Sequence, residues 1–165
     1  MKFGGTSVAD IDCIKNVAQK VVNQYKKNKK IVVVVSAMSG ATDNLVNLTN
    51  QISEKRNLEE YDVVVSSGEQ VTAGLLAMAI TDLSVKSRSL MGWQIPIKTD
   101  ETHYKAIIEN ISNTNIFTLL NNEEIVVIPG FQGVTSENRI STLGRGGSDT
   151  SAVAIAASIK AERCD

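Results

Sequence analysis

The sequence predicts an α/β protein, a three-layer α/β/α sandwich built around a mostly parallel sheet. Three observations predict it. Unbroken β-branched runs, Ile31-Val32-Val33-Val34-Val35 and Ile125-Val126-Val127-Ile128, suit strands covered on both faces. Between the runs lie stretches with apolar residues at helical spacing. Strand and helix alternate along the chain, which argues for a parallel sheet with helices on both faces.

Each element has its own justification. Residues 1–3 read as the end of a strand and 4–7 as a loop. A helix over 8–25 follows from Ile11, Ile14, Val17, Ala18, Val21 and Val22. Strand 31–35 is followed by a small-residue loop, 36–42, and a helix over 43–55. Val63-Val64-Val65 predicts a third buried strand, with 66–69 as its loop and a strongly apolar helix over 70–83. Residues 87–90 give a short strand, and 91–99, with Trp93 and Pro96, an irregular or partly extended stretch. Short helices are expected over 103–110 and 117–121. Strand 125–128 is ended by Pro129-Gly130, a hairpin-like excursion occupies 131–143, and an alanine-rich helix covers 150–161. The glycine- and hydroxyl-rich segments follow strand ends, where sheets of this kind bind ligands.

Bulk composition narrows the function classes. A chain of 165 residues suits one domain with a sizeable core, and 42% apolar with 21% charged residues is ordinary for a globular protein. A net charge of −1 gives no general attraction to nucleic acid or an anionic membrane. The basic run 26–30 reads as a solvated helix end. Cys13 and Cys164 stand far apart without CxxC spacing, so neither a disulfide framework nor a zinc site is indicated. The apolar runs are expected to be too short for a bilayer, and no signal segment precedes the first motif, which makes the cytoplasm the default location. His103 is expected at the surface.

Two motifs concentrate the chemistry. Lys2-Phe3-Gly4-Gly5-Thr6-Ser7 and Gly144-Arg145-Gly146-Gly147-Ser148-Asp149 each set a cation beside paired glycines and a hydroxyl, ahead of a helix. Glycines let backbone N–H groups approach an anion, and a helix N-terminus favours negative charge. Two such cradles suggest two anionic substrates. Lys2 suits a phosphate held by backbone N–H groups, and Arg145 suits bidentate capture of a carboxylate. Glu69 reads equally as a first-turn helix glutamate, and Asp149 as a helix cap. No GxxxxGK[ST] and no strand-linked GxGxxG occurs, so neither a P-loop nor a dinucleotide fingerprint is present.

The blocks KFGGTSVAD, VVVVSAMSGATDNL, SSGEQVTAGLLA, GWQIPIKTD, IPGFQGVT and TLGRGGSDTSAVAIAASIKAERCD together resemble those of the aspartate kinases, in the amino-acid kinase superfamily. The resemblance implies phosphoryl transfer from ATP, with Mg²⁺ on its phosphates, to the side-chain carboxylate of L-aspartate. This is the first step towards lysine, threonine and methionine. By that resemblance Lys2 bridges the γ-phosphate and the attacking carboxylate, and Asp149 orients Lys2. Gly4, Gly5, Thr6 and Ser7 form the phosphate loop. Ser36 and Thr42 lie near the aspartate side chain, and Glu69 holds the ammonium. Arg145 grips the α-carboxylate beside Gly147 and Ser148, while Phe131 offers its backbone or packs on the substrate.

The same resemblance makes residues 1–165 the N-terminal, aspartate-binding part of the kinase domain, with the nucleotide-binding remainder and the ACT regulatory domains outside it. The expectations are therefore an enzyme of this class or, alternatively, an inactive binding fragment of one. A kinase acting on glutamate is the lesser reading. Self-association, as a homo-oligomer or through an uncovered sheet edge, is expected.

Overall fold

The computed structural model describes residues 1–28, 30–53, 55 and 57–165. Lys29 of the basic run and residue 54 of the expected helix 43–55 lie outside them. Four parallel strands form the central sheet: β1 (Lys2–Phe3), β2 (Val32–Val35), β3 (Ser87–Ser89) and β6 (Ile125–Pro129), in the order β1-β2-β6-β3. β2 and β6 pair in register, Val32 opposite Val126 through Val35 opposite Pro129.

Side chains alternate across a pleated strand, so these runs feed two cores. Val33, Val35, Ile125 and Val127 face one layer, where they meet α1 (Ile11–Asn28) and α4 (Ser67–Asp82). Val34, Val126 and Ile128 face the other, against α5 (Thr114–Asn121) and α6 (Gly147–Ser158). This is the expected sandwich, and it explains why both strands are apolar at every position.

A second, mixed sheet lies beside it. It contains β4 (Ile97–Thr99), β5 (Ile108–Ile111), β7 (Gln132–Val134) and β8 (Ile140–Thr142), in the order β5-β4-β7-β8. β7 and β8 are the expected hairpin, antiparallel with Gly133 opposite Ser141. The helix α2 (Ala41–Ile52) follows β2.

Three expectations of secondary structure fail. Residues 63–65 are not a strand but the end of a helix, α3 (Leu58–Val65), started by Asn57, whose side chain accepts from the Glu59 and Glu60 N–H groups. Three β-branched residues favour a strand, but the capped helical turn before them and the packing of Val65 inside the core prevail. Residues 66–69 are accordingly not a loop, since α4 starts at Ser67 and takes Glu69 into its first turn. The helix expected over 103–110 is also absent: 103–105 form a turn and 108–111 form β5. Tyr104 has φ 70, a left-handed conformation that ends any helix there.

α3 and α4 run end to end over Leu58–Asp82, long and apolar enough by length and composition to cross a bilayer, which corrects the expectation that no run is. Half of that window is buried inside the protein, as a core helix requires.

Candidate functional site

The strand ends of the central sheet open onto a cleft of about 720 Å³. The loop after β1 supplies Gly5 and Thr6, the loop after β2 supplies Ser36 to Gly40, and α2 supplies Thr42 and Asp43. α4 contributes Glu69. Phe131 enters after β6, and Gly144 to Ser148 enter at the start of α6. Ser36, Thr42, Glu69, Phe131, Arg145, Gly147 and Ser148, named from the sequence, thus share one cleft with Gly5 and Thr6. Lys2, Gly4, Ser7 and Asp149 do not line it.

Lys2 is nevertheless tied to it. Its Nζ lies 2.5 Å from Asp149 Oδ1, next in sequence to the cleft-lining Ser148. The ammonium end is mostly covered while Asp149 is exposed, so the pair fixes an orientation more than it stabilises the fold. Ser148 Oγ lies 2.7 Å from Ser36 Oγ, which joins the second glycine-rich turn to the end of β2.

The two cradles differ. Gly146, with φ 76, is the N-cap of α6, and no side chain caps that helix. Its first turn brings the positive end of the helix dipole to the cleft, although Gly147 N–H already donates to Gly144 O and Asp149 N–H to Gly146 O. α2 begins the same way, from Gly40 with φ 74 and no side-chain cap. Asp149 sits in the first turn of α6 rather than capping it. The first cradle has no helix directly behind it: a turn closed by Ser7 N–H to Gly4 O precedes α1, and Asp10 Oδ1 caps α1 by accepting from Cys13 N–H.

Glu69 is the most perturbed group in the cleft. It is buried, its Oε1 accepts from Ala37 N–H at 3.1 Å, and its Oε2 has no partner among the described residues. Burial pushes its carboxyl up to about 7, against the Ala37 N–H, which pulls it down. An unpaired buried carboxylate oxygen lining a cleft is an incomplete site for a cation.

Phe131 also carries strain. Its φ of 69 is rare for a bulky residue, and its N–H is held at 3.0 Å by Ser151 Oγ. Its ring packs so closely on Gly147 that a Cβ there would lie 2.7 Å from Cδ2. Sequence reasoning missed Met38, Ser39, Gly40, Asp43, Tyr104 and Lys105, all of which line the cleft. Tyr104 and Lys105 come from the second sheet's turn, which was read as a helix. His103 is not a surface residue: its ring is largely covered and its Nδ1 meets the buried Asp62.

Among the described residues, no three His, Cys, Asp or Glu side chains stand close enough to hold a metal.

A parallel α/β sheet whose strand ends bring glycine-rich turns, helix N-termini and a buried carboxylate over one cleft defines a protein for charged small molecules. The model of the amino acid kinase family matches residues 1–165, and the chain belongs to that family. It is 50% identical over 167 residues to an aspartokinase of Rickettsia conorii, covering 99% of this chain and 42% of the relative. It is 52% identical over 164 residues to an aspartokinase of Geobacillus stearothermophilus, covering 99% and 40%. The chain therefore spans about two fifths of the length of these relatives. The crystal structure of aspartate kinase from Synechocystis matches with a TM-score of 0.83 at 42% identity, covering 99% of this chain and 27% of that one. E. coli aspartokinase III in complex with aspartate and ADP matches in fold, with a TM-score of 0.85 at 23% identity over 98% of this chain and 47% of that one.

Proposed function

We propose that this chain is the aspartate-binding and phosphate-loop part of an aspartate kinase, which transfers the γ-phosphoryl group of ATP to the side-chain carboxylate of L-aspartate. The observation that carries the reading is the pairing, in one cleft, of a buried Glu69 with an unpaired oxygen and Arg145 on a glycine-rich turn. An amino acid presents an ammonium and a carboxylate together, and these two side chains are their complements.

The chemistry follows from charge. The β-carboxylate of aspartate is ionised at neutral pH, so its attack needs no general base. An oxygen of that carboxylate bonds to the γ-phosphorus, the bond from phosphorus to the bridging oxygen breaks, and ADP leaves with that electron pair. Catalysis then rests on alignment and neutralisation of the phosphoryl oxygens. Lys2, oriented by Asp149, supplies the cation, and Gly4, Gly5, Thr6 and Ser7 supply backbone and hydroxyl donors. Ser36 and Thr42 hold the reacting carboxylate, Gly147 and Ser148 stand beside Arg145, and Phe131 shapes the wall. Mg²⁺ supplies further phosphate neutralisation when bound with ATP.

The adenine and ribose contacts belong, on this reading, to the portion of the relatives' length that this chain does not span. The reading also carries a cytoplasmic location, where ATP and free aspartate meet, and self-association, which exposed Val71, Met78 and Val153 support.

Calorimetric or NMR titration of the chain with L-aspartate tests the reading. Binding is expected, weakened roughly tenfold or more by Glu69→Gln and by Arg145→Ala, as loss of a charge-assisted pair dictates. Lys2→Ala is expected to leave aspartate affinity within about threefold while abolishing transfer in the full-length protein, because Lys2 serves mainly the phosphoryl group. Equal affinity for L-glutamate, or no response to either amino acid, would overturn the assignment.

A further inference from the structure

Asp62, on α3, is completely buried, and the cleft chemistry does not use it. Its carboxylate is nonetheless saturated with donors. Oδ1 accepts from Thr142 Oγ1 at 2.6 Å, and Oδ2 from Thr142 N–H at 3.0 Å. Tyr104 N–H reaches both oxygens, at 3.2 and 3.1 Å, and His103 Nδ1 lies 2.9 Å from Oδ2. Facing a carboxylate, that nitrogen carries the proton. A buried carboxylate is tolerated only where donors meet its lone pairs, and here they come from two distant segments.

Those segments flank the turn that carries Arg145. Thr142 ends β8, two residues before Gly144. The turn 103–105 packs on Gly144 itself, where a Cβ would lie 3.3 Å from Tyr104 O and 3.5 Å from Lys105 Cγ. Ala106 N–H donates to Thr142 O at 2.9 Å, closing the pair of segments on each other. Tyr61, the neighbour of Asp62, sets its ring edge against Tyr104 with centroids 5.6 Å apart. Tyr104 keeps its left-handed backbone under these restraints, and with Lys105, Gly144 and Arg145 it lines one side of the cleft.

We propose that Asp62 is a positioning residue for Arg145: through Thr142 and the 103–105 turn it fixes the turn 144–147 and so sets the carboxylate-binding end of the cleft. The proposal rests on the reading of Arg145 given above. Asp62 touches no ligand; it acts by holding Arg145 ready, so that little ordering remains to be done on binding.

Amide hydrogen exchange of the ligand-free chain and L-aspartate titration together test it. Asp62→Asn turns one acceptor into a donor that faces donors. Thr142→Val removes a hydroxyl at nearly constant shape, and Thr142→Ser keeps it. Asp62→Asn and Thr142→Val are expected to speed exchange at 143–147 roughly tenfold and to raise the aspartate Kd roughly tenfold, with exchange in β2 and β6 unchanged. Thr142→Ser restores most of both. In an Arg145→Ala background, Asp62→Asn adds no further loss of affinity, because its effect passes through Arg145.

Unchanged exchange at 143–147 in both weakened variants overturns the proposal. So does an equal further loss in the Arg145→Ala background, or a general rise in exchange that makes Asp62 a residue of overall stability. Should Asp62→Asn not fold, the Val and Ser variants of Thr142 decide alone. A wild-type chain that does not bind aspartate counts against the function, and exchange at 143–147 then still decides whether Asp62 orders the turn.

Discussion

Glu69 shows what a single buried group imposes. Its carboxyl titrates at about 7 in the folded chain and near 4.5 when unfolded. The folded state therefore binds more protons between those values. Stability contributed by protonated Glu69 is fully present below about pH 4.5 and is lost as pH rises through about 7, a change of about 3 kcal/mol at most. Glu69→Gln is expected to remove this part of the pH dependence, measured as urea unfolding at pH 5 and pH 8. Ligand binding runs in the opposite sense. An ammonium on Oε2 favours the ionised form, so aspartate affinity is expected to rise with pH up to about 7 and then level off, with proton release on binding near neutrality. A titration in two buffers of different ionisation enthalpy reads that proton directly, and its absence would remove Glu69 from the ammonium site.

At the scale of elements, close backbone approach holds the cleft together. Gly130 follows β6 where α6 begins to pass, and a Cβ there would lie 2.8 Å from both Ser148 Cα and Ser148 Cβ. Neither neighbour is the free end of a side chain, so Gly130→Ala is expected to cost about 2–3 kcal/mol and to displace Ser148 from Ser36. Gly146→Ala is a useful contrast. Its Cβ would meet nothing within 4 Å, but φ 76 penalises any side chain, so about 1 kcal/mol is expected. Chemical denaturation separates the two, and equal effects would show that crowding at Gly130 is relieved elsewhere.

The same scale shows what the sequence revealed. Strands 31–35 and 125–128 were legible because burial on both faces demands an unbroken apolar run. The misread segments are those where local composition and tertiary context disagree. Val63 to Val65 look like a strand, but Asn57 starts a helix that must continue into α4 to bring Glu69 to the cleft. Residues 103–110 read as a helix, yet Asp62 accepts from Tyr104 N–H in a turn there, and with it Tyr104 and Lys105 escaped notice as cleft residues. Chemistry carried by glycine, hydroxyl and charge was readable along the chain. Chemistry assembled by long-range contact was not, because Asp62 and Thr142 are 80 residues apart.

For the whole molecule, the cleft is the place where the two sheets meet. β1, β2 and β6 deliver Gly5, Ser36 and Phe131 to it, while the second sheet delivers Arg145 through β8 and Lys105 through the turn before β5. β7 continues from β6 across Phe131, and the buried Gln132 ties β7 to the α3–α4 junction and to the loop after β3 by donating to Ser66 O and accepting from Gly92 N–H. A ligand bridging Glu69 and Arg145 must therefore draw its binding energy from both sheets and stabilise them as one unit. At a hundredfold excess over Kd such a ligand adds about 2.7 kcal/mol to the folded state. For a chain of this size that corresponds to a rise in Tm of roughly 5–10 °C. L-Aspartate is expected to give that rise as a single transition, and Arg145→Ala, with its roughly tenfold weaker binding, to cut it to about half or less at the same concentration. The absence of the shift, or two transitions of which only one moves, would mean that the sheets unfold separately and that the cleft between them does not hold the amino acid by both ends.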